Sequence, residues 1–348
     1  MEALAVKNPL GRTGLRVPPV VFGTSCLGNL YEALPWATKL GIMRGFFTHV
    51  EAPVMLDTAG KYGAGLALEV IGRGLRELKV DPAAVIVSNK LGWKRVPLRT
   101  PEPTFEPGVW ADLANDAVQC IGYEGILECY EQGRELLGEG YTTQVVSVHD
   151  PDEYLAGAAS EAERRRRWQD ILAAYRALFE LKAAGRVQAV GVGSKDWRVI
   201  RELAGEVDLD WAMFACSLTV YSHPAELLAF MDELNGRGVG IINSAVFHAG
   251  FLVGGRFFDY RQPDPRQERE LFVWRDCFLG LCAKHGVSPA EVCVRFGMSV
   301  PGVVATALNT SKPERVADNV AAVQAHIPPE FWADLRYAEL IQPYFPFV

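Results

Sequence analysis

The chain has 348 residues, of which 49% are hydrophobic, so it can bury a large core as two ordinary domains or as one large α/β barrel. Its 35 Lys and Arg residues against 42 Asp and Glu residues give a formal net charge of -7, which excludes a whole-molecule basic field for nucleic acid or an anionic membrane surface. The dense basic run at residues 164–167 follows two glutamates and is more typical of a solvated helix face than of a nucleic-acid patch. We therefore predict a small-molecule partner, with no nucleic acid and no membrane.

Targeting and redox features predict a soluble, cytoplasmic protein. The sequence has no run of about 18 apolar residues, and residues 1–4 lack the basic-then-apolar order of a signal peptide. Seven cysteines form no CxxC pair, which suits a reducing compartment. Cys282 and His285 have the spacing of half a metal site. Because no second pair follows them, we expect buried helix cysteines and no metal.

Short β-rich segments recur along the whole chain. There are eight of them, at residues 19–23, 54–57, 85–88, 145–149, 187–192, 211–217, 239–244 and 303–308. Segments with helical periodicity lie between them, at residues 66–78, 168–184, 225–234 and 269–285. This alternation predicts a parallel sheet with crossover helices, and eight units close a barrel where a doubly wound sheet has fewer strands and open edges. We predict a single (β/α)8 TIM barrel domain over residues 1–348.

Three segments lie outside this repeat. Residues 10–17 have glycines flanking short apolar positions, which predicts a small N-terminal β-hairpin that plugs the bottom of the barrel. Residues 92–122 follow the third strand and are rich in proline with little periodicity, and residues 254–265 follow the seventh strand. We expect both to be long loops on the C-terminal face, where substrate pockets form in barrels.

Four polar side chains of catalytic type fall where predicted strands end. Asp57, Lys90 and His149 close the second, third and fourth strands, and Tyr62 lies in the turn after Asp57. Taken singly, each has a structural explanation as a helix cap, a packing residue or a satisfied core residue. Together they would converge at one mouth of a parallel barrel, which favours a functional site.

These residue types suit the reduction of a carbonyl group by hydride. The alkoxide that forms must be protonated, and a phenol with a pKa of about 10 is a reluctant proton shuttle at neutral pH. The Lys90 ammonium would stabilise a Tyr62 phenolate and lower that pKa, while Asp57 would supply the counter-ion of the buried lysine. His149 could donate to the carbonyl oxygen and orient the substrate.

Several spaced motifs together resemble the aldo-keto reductase superfamily. They are Leu10-Gly-Arg-Thr-Gly-Leu15, Phe22-Gly-Thr24, Asp57-Thr-Ala-Gly-Lys-Tyr62-Gly63, Ser88-Asn-Lys90, Val148-His-Asp-Pro151 and Gly191-Val-Gly-Ser194. The chain is most similar to the branch of L-fucose, L-galactose and D-threo-aldose 1-dehydrogenases, through His149-Asp-Pro-Asp152, the proline-rich loop after Lys90, and Val246-Phe-His-Ala-Gly-Phe-Leu252. The resemblance implies hydride transfer between NADP or NAD and a sugar or another carbonyl or alcohol. It makes Asp57, Tyr62, Lys90 and His149 the catalytic tetrad, with Tyr62 as general acid/base.

The resemblance also implies a cofactor site at the barrel mouth. Ser194 matches the serine that holds the nicotinamide carboxamide, residues 250–252 match the pyrophosphate loop, and residues 310–319 match the segment that meets the adenosine ribose. The predicted cofactor-binding residues are Gly23, Thr24, Ser194, Lys195, Ser217, Gly250, Phe251, Leu252, Thr310, Ser311, Lys312, Arg315 and Asn319.

The chain departs from the family pattern at three places around this site. Lys195 replaces the usual asparagine, and residues 215–218 lack the usual glutamine and stacking aromatic. Ser311 stands where the family's selective arginine lies, although Lys312 or Arg315 could pair with a 2′-phosphate. NAD and NADP therefore both stay open.

Substrate residues are predicted in the two long loops and at the fourth strand. Trp93, Trp110 and His149 are the predicted substrate-binding residues, and Phe257, Phe258 and Tyr260 are further aromatics that either face a sugar or pack against helices. Two other functions compete with the dehydrogenase: a barrel aldolase that uses Lys90 as a Schiff base, and a cofactor-binding accessory subunit without catalysis. The sequence leaves the substrate, the direction of reaction and the oligomeric state open.

Overall fold

Eight parallel strands close into a barrel, as the alternation of strands and helices predicts. The computed structural model describes residues 2–259 and 261–348. Its strands are β1 (Asn8–Pro9), β2 (Arg16–Val17), β3 (Val20–Gly23), β4 (Val54–Ala59), β5 (Val85–Leu91), β6 (Trp93–Pro97), β7 (Asn115–Gln119), β8 (Val145–His149), β9 (Ala189–Ser194), β10 (Trp211–Ala215), β11 (Gly240–Ser244) and β12 (Val303–Leu308). The barrel consists of β3, β4, β5, β8, β9, β10, β11 and β12 in chain order, with β12 pairing back onto β3. All eight predicted strand segments are confirmed.

Helices follow the barrel strands and cover the outside of the sheet. They are α1 (Trp36–His49), α2 (Leu66–Glu77), α3 (Tyr123–Leu137), α4 (Pro151–Ala156), α5 (Glu161–Ala183), α6 (Trp197–Ala204), α7 (Ala225–Gly236), α8 (Arg269–His285), α9 (Pro289–Gly297), α10 (Arg315–Ala322) and α11 (Pro329–Tyr337). The four predicted helices are confirmed as α2, α5, α7 and α8. Helix α5 begins earlier than predicted because the Ser160 side chain accepts a hydrogen bond from the Glu163 amide and caps it there. Within residues 2–259 and 261–348, no helix has the length and apolar character needed to cross a membrane.

The basic run lies on the surface of α5, as predicted for a helix face. Arg167 pairs with Glu163 at 2.8 Å within the helix, and Arg164 pairs with Glu202 of α6 at 3.3 Å. These arginines are therefore engaged with neighbouring carboxylates.

The N-terminal hairpin closes the bottom of the barrel. Strands β1 and β2 pair antiparallel, and the fully buried Leu10 and Val17 pack against inward-facing barrel residues such as Trp211. Gly11 has a left-handed backbone with φ of 52°, and a Cβ there would lie 2.5 Å from the Gly238 carbonyl oxygen. Only glycine allows the hairpin to approach this closely. The two buried aliphatic side chains each stabilise the plug by about 1.5–3 kcal/mol.

Residues 92–122 form a more regular structure than the proline content predicts. Strands β6 and β7 make an antiparallel hairpin in which Trp93 pairs with Gln119 and Pro97 with Asn115. At its tip, the amide of Thr104 donates to the carboxylate of Asp116 at 3.1 Å. The expectation of an irregular loop was wrong for these strands, whose sequences lack a clear apolar alternation. Their position after β5, on the C-terminal face, is as predicted.

Candidate active site

Three of the four predicted catalytic residues lie at the carboxyl ends of neighbouring barrel strands. Asp57 is in β4, Lys90 is in β5 and His149 ends β8, and these residues are 3%, 5% and 3% exposed. The register places Ala59 beside Lys90 and Lys90 beside Ser147, so the strand ends are level at one mouth. The barrel therefore gathers these side chains as the sequence predicts.

Tyr62 is held in place by a close approach between two backbone segments. Its amide donates to the Ala59 carbonyl at 3.1 Å, and a Cβ on Gly28 would lie 2.7 Å from the Tyr62 carbonyl carbon. Gly63, which has a φ of 62°, faces Gly28 from the other side. A side chain at either glycine would displace the tyrosine, so the pair of glycines positions its phenol.

A buried lysine joins an acid to a phenol. Lys90 Nζ donates to Asp57 Oδ2 and to Tyr62 Oη, the latter at 3.2 Å. Ser88 Oγ donates to the other Asp57 oxygen at 3.3 Å. Burial alone would lower the pKa of Lys90, but the charge of Asp57 and the hydrogen bonds to Asp57 and Tyr62 outweigh it and raise that pKa above its ordinary value. Lys90 is therefore an ammonium at neutral pH.

The phenol itself shows a net shift opposite to the expected one. Burial raises the pKa of Tyr62 above its ordinary value. The positive charge of Lys90 lowers this pKa, whereas the negative charges of Asp57 and Asp150 raise it further. The predicted effect of Lys90 has the right direction, but the prediction of a lowered pKa was wrong because desolvation is the larger influence. Tyr62 is thus a phenol, ready to donate a proton, at neutral pH.

His149 is a neutral imidazole with a free ring nitrogen. Burial, together with the positive charges of Lys61, Lys90 and Lys195, lowers the pKa of His149 well below its ordinary value. Its Nδ1 atom is buried without a hydrogen-bond partner among the residues that the structure describes. The ring meets Tyr62 edge to face, with centroids 5.6 Å apart. The other ring nitrogen, Nε2, lies 3.4 Å from Asp150 Oδ2.

A second ionic cluster lies beside the first, and sequence reasoning missed it. Lys61 is 4% exposed and its Nζ lies 2.7 Å from Glu106, 3.2 Å from Glu153 and 3.6 Å from Asp150. Burial and the charge of Glu153 raise the pKa of Asp150 to about 6, although Lys61 and Lys195 oppose the shift. A signal was present in the sequence, because Lys61 precedes Tyr62 and Asp150 follows His149.

Lys195 belongs to this ionic cluster. Its Nζ lies 2.6 Å from Glu153 Oε1, and its amide donates to Asp152 at 3.2 Å. The lysine that replaces the family's asparagine therefore joins the carboxylates that follow β8. Its predicted contact with a cofactor stays a prediction.

The hydroxyl groups predicted to bind a cofactor make internal hydrogen bonds. Thr24 is fully buried and its Oγ1 donates to the Asp57 carbonyl at 2.9 Å, next to Gly23 at the end of β3. Ser194 Oγ donates to the Asp196 carbonyl at 3.1 Å, and Ser217 Oγ donates to the Lys195 carbonyl at 2.8 Å. These residues line the mouth, and their hydroxyl oxygens retain acceptor capacity.

The loop after β11 has buried side chains and an open face at one glycine. Phe251 and Leu252 are fully buried, so their side chains belong to the core. Gly250 has a φ of 93°, and a Cβ at this position would meet nothing within 4 Å. The amides of Gly250, Phe251 and Leu252 donate to the carbonyls of residues 247 and 248, so the loop gives a ligand open space beside Gly250.

The segment after β12 and the first turns of α10 carry polar groups, one of them unpaired. Asn319 Nδ2 is buried without a partner among the described residues. Lys312 and Arg315 are exposed, Thr310 and Ser311 are half-buried, and the Thr310 carbonyl accepts from the Cys26 thiol at 2.9 Å. An unpaired amide donor with two cations nearby suits a ligand that bears hydrogen-bond acceptors and negative charge.

Aromatic residues of the β6–β7 hairpin reach the site. The Trp110 ring lies 5.9 Å from the Tyr62 ring, and its Nε1 donates to Glu106 at 2.7 Å. Lys61 Nζ lies 5.3 Å from the centre of the Trp93 ring. The structure thus brings both predicted tryptophans to the mouth.

The insert after β11 is anchored by a polar cluster that the sequence did not reveal. His248 lies 2.8 Å from both Asp259 Oδ1 and Thr219 Oγ1, and the ligand-type atoms of Cys216, His248 and Asp259 lie within 4.8 Å of one another. Phe258 stacks on His248, with centroids 4.6 Å apart, which makes it a packing residue. Phe257 is half-exposed and stacks on Tyr31. Tyr260 lies outside the described residues.

An acid, a lysine and a phenol in one hydrogen-bonded chain, beside a neutral histidine at the mouth of a (β/α)8 barrel, define an enzyme site built for proton transfer to an oxygen. The chain belongs to the aldo/keto reductase family, whose sequence profile matches residues 19–339. This confirms the resemblance seen in the sequence.

Individual relatives are similar over nearly their whole lengths. The chain is 27% identical to a pyridoxal 4-dehydrogenase of Microbacterium luteolum, over 96% of this chain and 98% of the relative. It is 26% identical to a D-threo-aldose 1-dehydrogenase of a Pseudomonas species, over 94% and 96%. Its fold is similar to that of an aldo-keto reductase from Bacillus halodurans in its holo form, with a TM-score of 0.67, 19% identity and coverage of 97% and 96%.

The family supplies the chemical context of the site. Aldo/keto reductases are oxidoreductases that use nicotinamide cofactors and act on small-molecule carbonyl or sugar substrates. The residues present here fit such a cofactor: the open backbone at Gly250, the exposed cations Lys312 and Arg315, and the unpaired amide of Asn319 lie on segments that follow neighbouring strands.

Proposed function

We propose that this protein is an NAD(P)-dependent dehydrogenase of a hydroxy aldehyde or sugar, with Tyr62 as its general acid/base. The observation that carries the proposal is the buried Lys90 ammonium, which is hydrogen-bonded to both Asp57 and Tyr62 beside the neutral His149. When bound, the nicotinamide supplies or accepts the hydride at the substrate carbon. All proton chemistry falls to the side chains of this chain.

In the reductive direction, Tyr62 Oη donates its proton to the substrate oxygen. Lys90, 3.2 Å away, stabilises the phenolate that is left, and Asp57 keeps Lys90 charged and oriented. We assign His149 the orientation of the same oxygen, and its neutral state keeps it from competing as a proton source. In the oxidative direction, the Tyr62 phenolate takes the proton of the substrate hydroxyl.

The same geometry argues against a Schiff-base aldolase. A nucleophilic lysine must be a neutral amine, and Asp57 raises the pKa of Lys90, so that it stays protonated. The hydrogen bonds to Asp57 and Tyr62 also occupy two of its three donors.

We infer the substrate class from what two relatives share. Pyridoxal and D-threo-aldoses, which name two of the relatives, both carry an aldehyde and a hydroxyl group in one molecule. In this chain, Glu106 and Asp150 lie beside the tetrad and can bind hydroxyl groups, while Trp110 offers an apolar face 5.9 Å from Tyr62. A small molecule with several hydroxyls on one side and an apolar face on the other suits these walls.

The test is a screen of aldoses, pyridoxal and simple aldehydes with NAD(H) and NADP(H), followed by nicotinamide absorbance. We expect turnover that depends on a hydroxy aldehyde and that Tyr62→Phe abolishes. A covalent adduct trapped on Lys90 by borohydride, without nicotinamide turnover, would overturn the proposal in favour of the aldolase. Cofactor binding without turnover of any substrate would overturn it in favour of an accessory subunit.

Cofactor selectivity is tested with one double variant. Lys312 and Arg315 are the exposed cations of the adenosine segment. If they bind a 2′-phosphate, Lys312→Ala/Arg315→Ala raises the KM for NADP and leaves that for NAD unchanged. An equal change in both constants would show that neither cation contacts a 2′-phosphate, and the preference is then read from the wild-type KM values for NAD and NADP.

A further inference from the structure

Two cysteine thiols are in contact at the base of the β6–β7 hairpin. Cys120 follows β7, Cys129 lies on α3, and their sulfur atoms are 3.3 Å apart. A disulfide bond has a sulfur–sulfur length of about 2.0 Å, so the two sulfur atoms would have to approach each other by only about 1.3 Å to form one.

The backbone holds both residues in this position. The Cys120 amide donates to the Gly92 carbonyl at 2.8 Å, which fixes it to the end of β5. At the start of α3, a Cβ on Gly125 would lie 2.0 Å from the Cys120 carbonyl oxygen, so glycine is required for this contact. The proximity of the thiols follows from packed backbone and does not depend on flexible side chains alone.

The two thiols differ in exposure and in acidity. Cys120 is half-buried, and the hydrogen bond from Cys129, helped by the charge of Lys94, lowers the pKa of its thiol. Cys129 is 4% exposed, and its contact with Cys120, together with burial, raises the pKa of its thiol. This is the asymmetry of an attacking thiol that a peroxide can reach and a buried resolving thiol.

We propose that Cys120 and Cys129 form a reversible disulfide when the protein meets hydrogen peroxide or an organic peroxide. The Cys120 thiolate attacks the peroxide, so that a sulfur–oxygen bond forms, the oxygen–oxygen bond breaks and hydroxide (or alkoxide) leaves. Cys129 then attacks the sulfenic sulfur, the sulfur–sulfur bond forms, and hydroxide leaves and takes the Cys129 proton as water. The two sulfurs lose two electrons and the peroxide gains them.

The position gives the disulfide a structural consequence. It would join α3 to the base of the β6–β7 hairpin, which carries Trp93 and Trp110. At this base, the Cys120 amide donates to the carbonyl of Gly92, two residues after Lys90. The modification thus falls on the element that brings aromatic side chains to the site.

The experiment treats the full chain with hydrogen peroxide, blocks the remaining thiols with an alkylating reagent and maps the peptides by mass spectrometry. We expect a crosslinked Cys120–Cys129 peptide that dithiothreitol reverses, and the loss of two free thiols per chain in Cys277→Ser, where the exposed thiol of Cys277 is absent. In Cys129→Ser, Cys120 should stop at a sulfenic acid that dimedone traps. In Cys120→Ser, Cys129 should stay reduced.

Cys277→Ser is the matched control, because Cys277 is an exposed thiol away from the pair. The crosslink should form in this variant as in the wild type. The proposal is overturned if Cys120 and Cys129 of the wild type both still react with the alkylating reagent after Cys277 has been oxidised. It is also overturned if Cys129 is oxidised as fast in Cys120→Ser as in the wild type. Since Cys129 is buried, Cys129→Ala serves as a second variant in case Cys129→Ser does not fold.

Discussion

Replacing Lys90 by methionine tests the coupling between the buried ammonium and the phenol. Methionine keeps most of the length of the side chain and removes the charge. With 3.2 Å between Lys90 Nζ and Tyr62 Oη, the ammonium stabilises a phenolate by at most about 5 kcal/mol at an effective dielectric constant of about 20. This corresponds to a pKa rise of at most roughly 4 units for Tyr62 in the variant. Asp57 acts on the Tyr62 pKa in the opposite direction, so a variant that loses both charges should show a smaller rise than one that loses Lys90 alone.

The loss should depend on the direction of the reaction and on pH. Oxidation needs the Tyr62 phenolate, whose fraction rises tenfold per pH unit below its pKa, so kcat/KM for oxidation should fall by about 100-fold to 10,000-fold at neutral pH. Burial already raises the pKa of Tyr62 in the wild type, so both proteins hold mostly protonated phenol at neutral pH. The ratio of wild-type to variant kcat/KM for oxidation should therefore be constant through neutral pH. It should decrease only at the high pH where the wild-type kcat/KM reaches its plateau. Reduction uses the protonated phenol and should lose less.

The assay is the pH dependence of kcat/KM in both directions, read by nicotinamide absorbance. Lys90→Met alone leaves Asp57 as a buried unpaired carboxylate, which costs about 3–5 kcal/mol of stability. The double variant Asp57→Asn/Lys90→Met removes both charges and should unfold at a higher urea concentration than the single variant. Its pH profile should shift in the same direction but less, because the Asp57 charge that raises the Tyr62 pKa is also lost. An oxidative profile that levels off at the wild-type pH in both variants would refute the coupling.

Three further outcomes are expected. Tyr62→Phe should abolish turnover and leave the cofactor Kd, measured by fluorescence titration, within about twofold, because the phenyl ring keeps its packing. Gly28→Ala places a Cβ 2.7 Å from the Tyr62 backbone and should lower kcat at least tenfold, with a stability loss of about 1–3 kcal/mol, whereas Gly280→Ala, which meets nothing within 4 Å, should leave kcat unchanged. Because the pKa of His149 is lowered in the folded protein, the unfolded chain takes up this proton at a higher pH than the folded protein does. The contribution of neutral His149 to the free energy of unfolding should therefore be complete above pH 6.5 and be lost as the pH falls below that value. Urea unfolding at a series of pH values, compared with His149→Asn, measures this; an equal pH dependence in both would contradict it.

The sequence alone determined the barrel and the convergence of Asp57, Tyr62, Lys90 and His149 at its mouth. The spacing of apolar residues predicts whether a segment is a strand or a helix, because it depends on which face of that segment is buried. Eight strand–helix repeats then favour a closed barrel, which covers both faces of a parallel sheet. Once the strands are parallel, residues at their carboxyl ends, such as Asp57, Lys90 and His149, must share one mouth. The proximity of these three side chains was therefore predictable from the order of the strands, without knowledge of any interatomic distance.

Tertiary structure alone decided the balance of charges around that mouth. Lys61, Glu106, Glu153 and Lys195 are far apart in sequence, and they meet only because the β6–β7 hairpin and the start of α4 fold over the same strand ends. Burial also reversed the expected shift of the Tyr62 pKa, and desolvation is a property of the closed barrel that no short motif contains. The contact between Cys120 and Cys129 arose in the same way, from a hairpin whose strands carry no periodic signal.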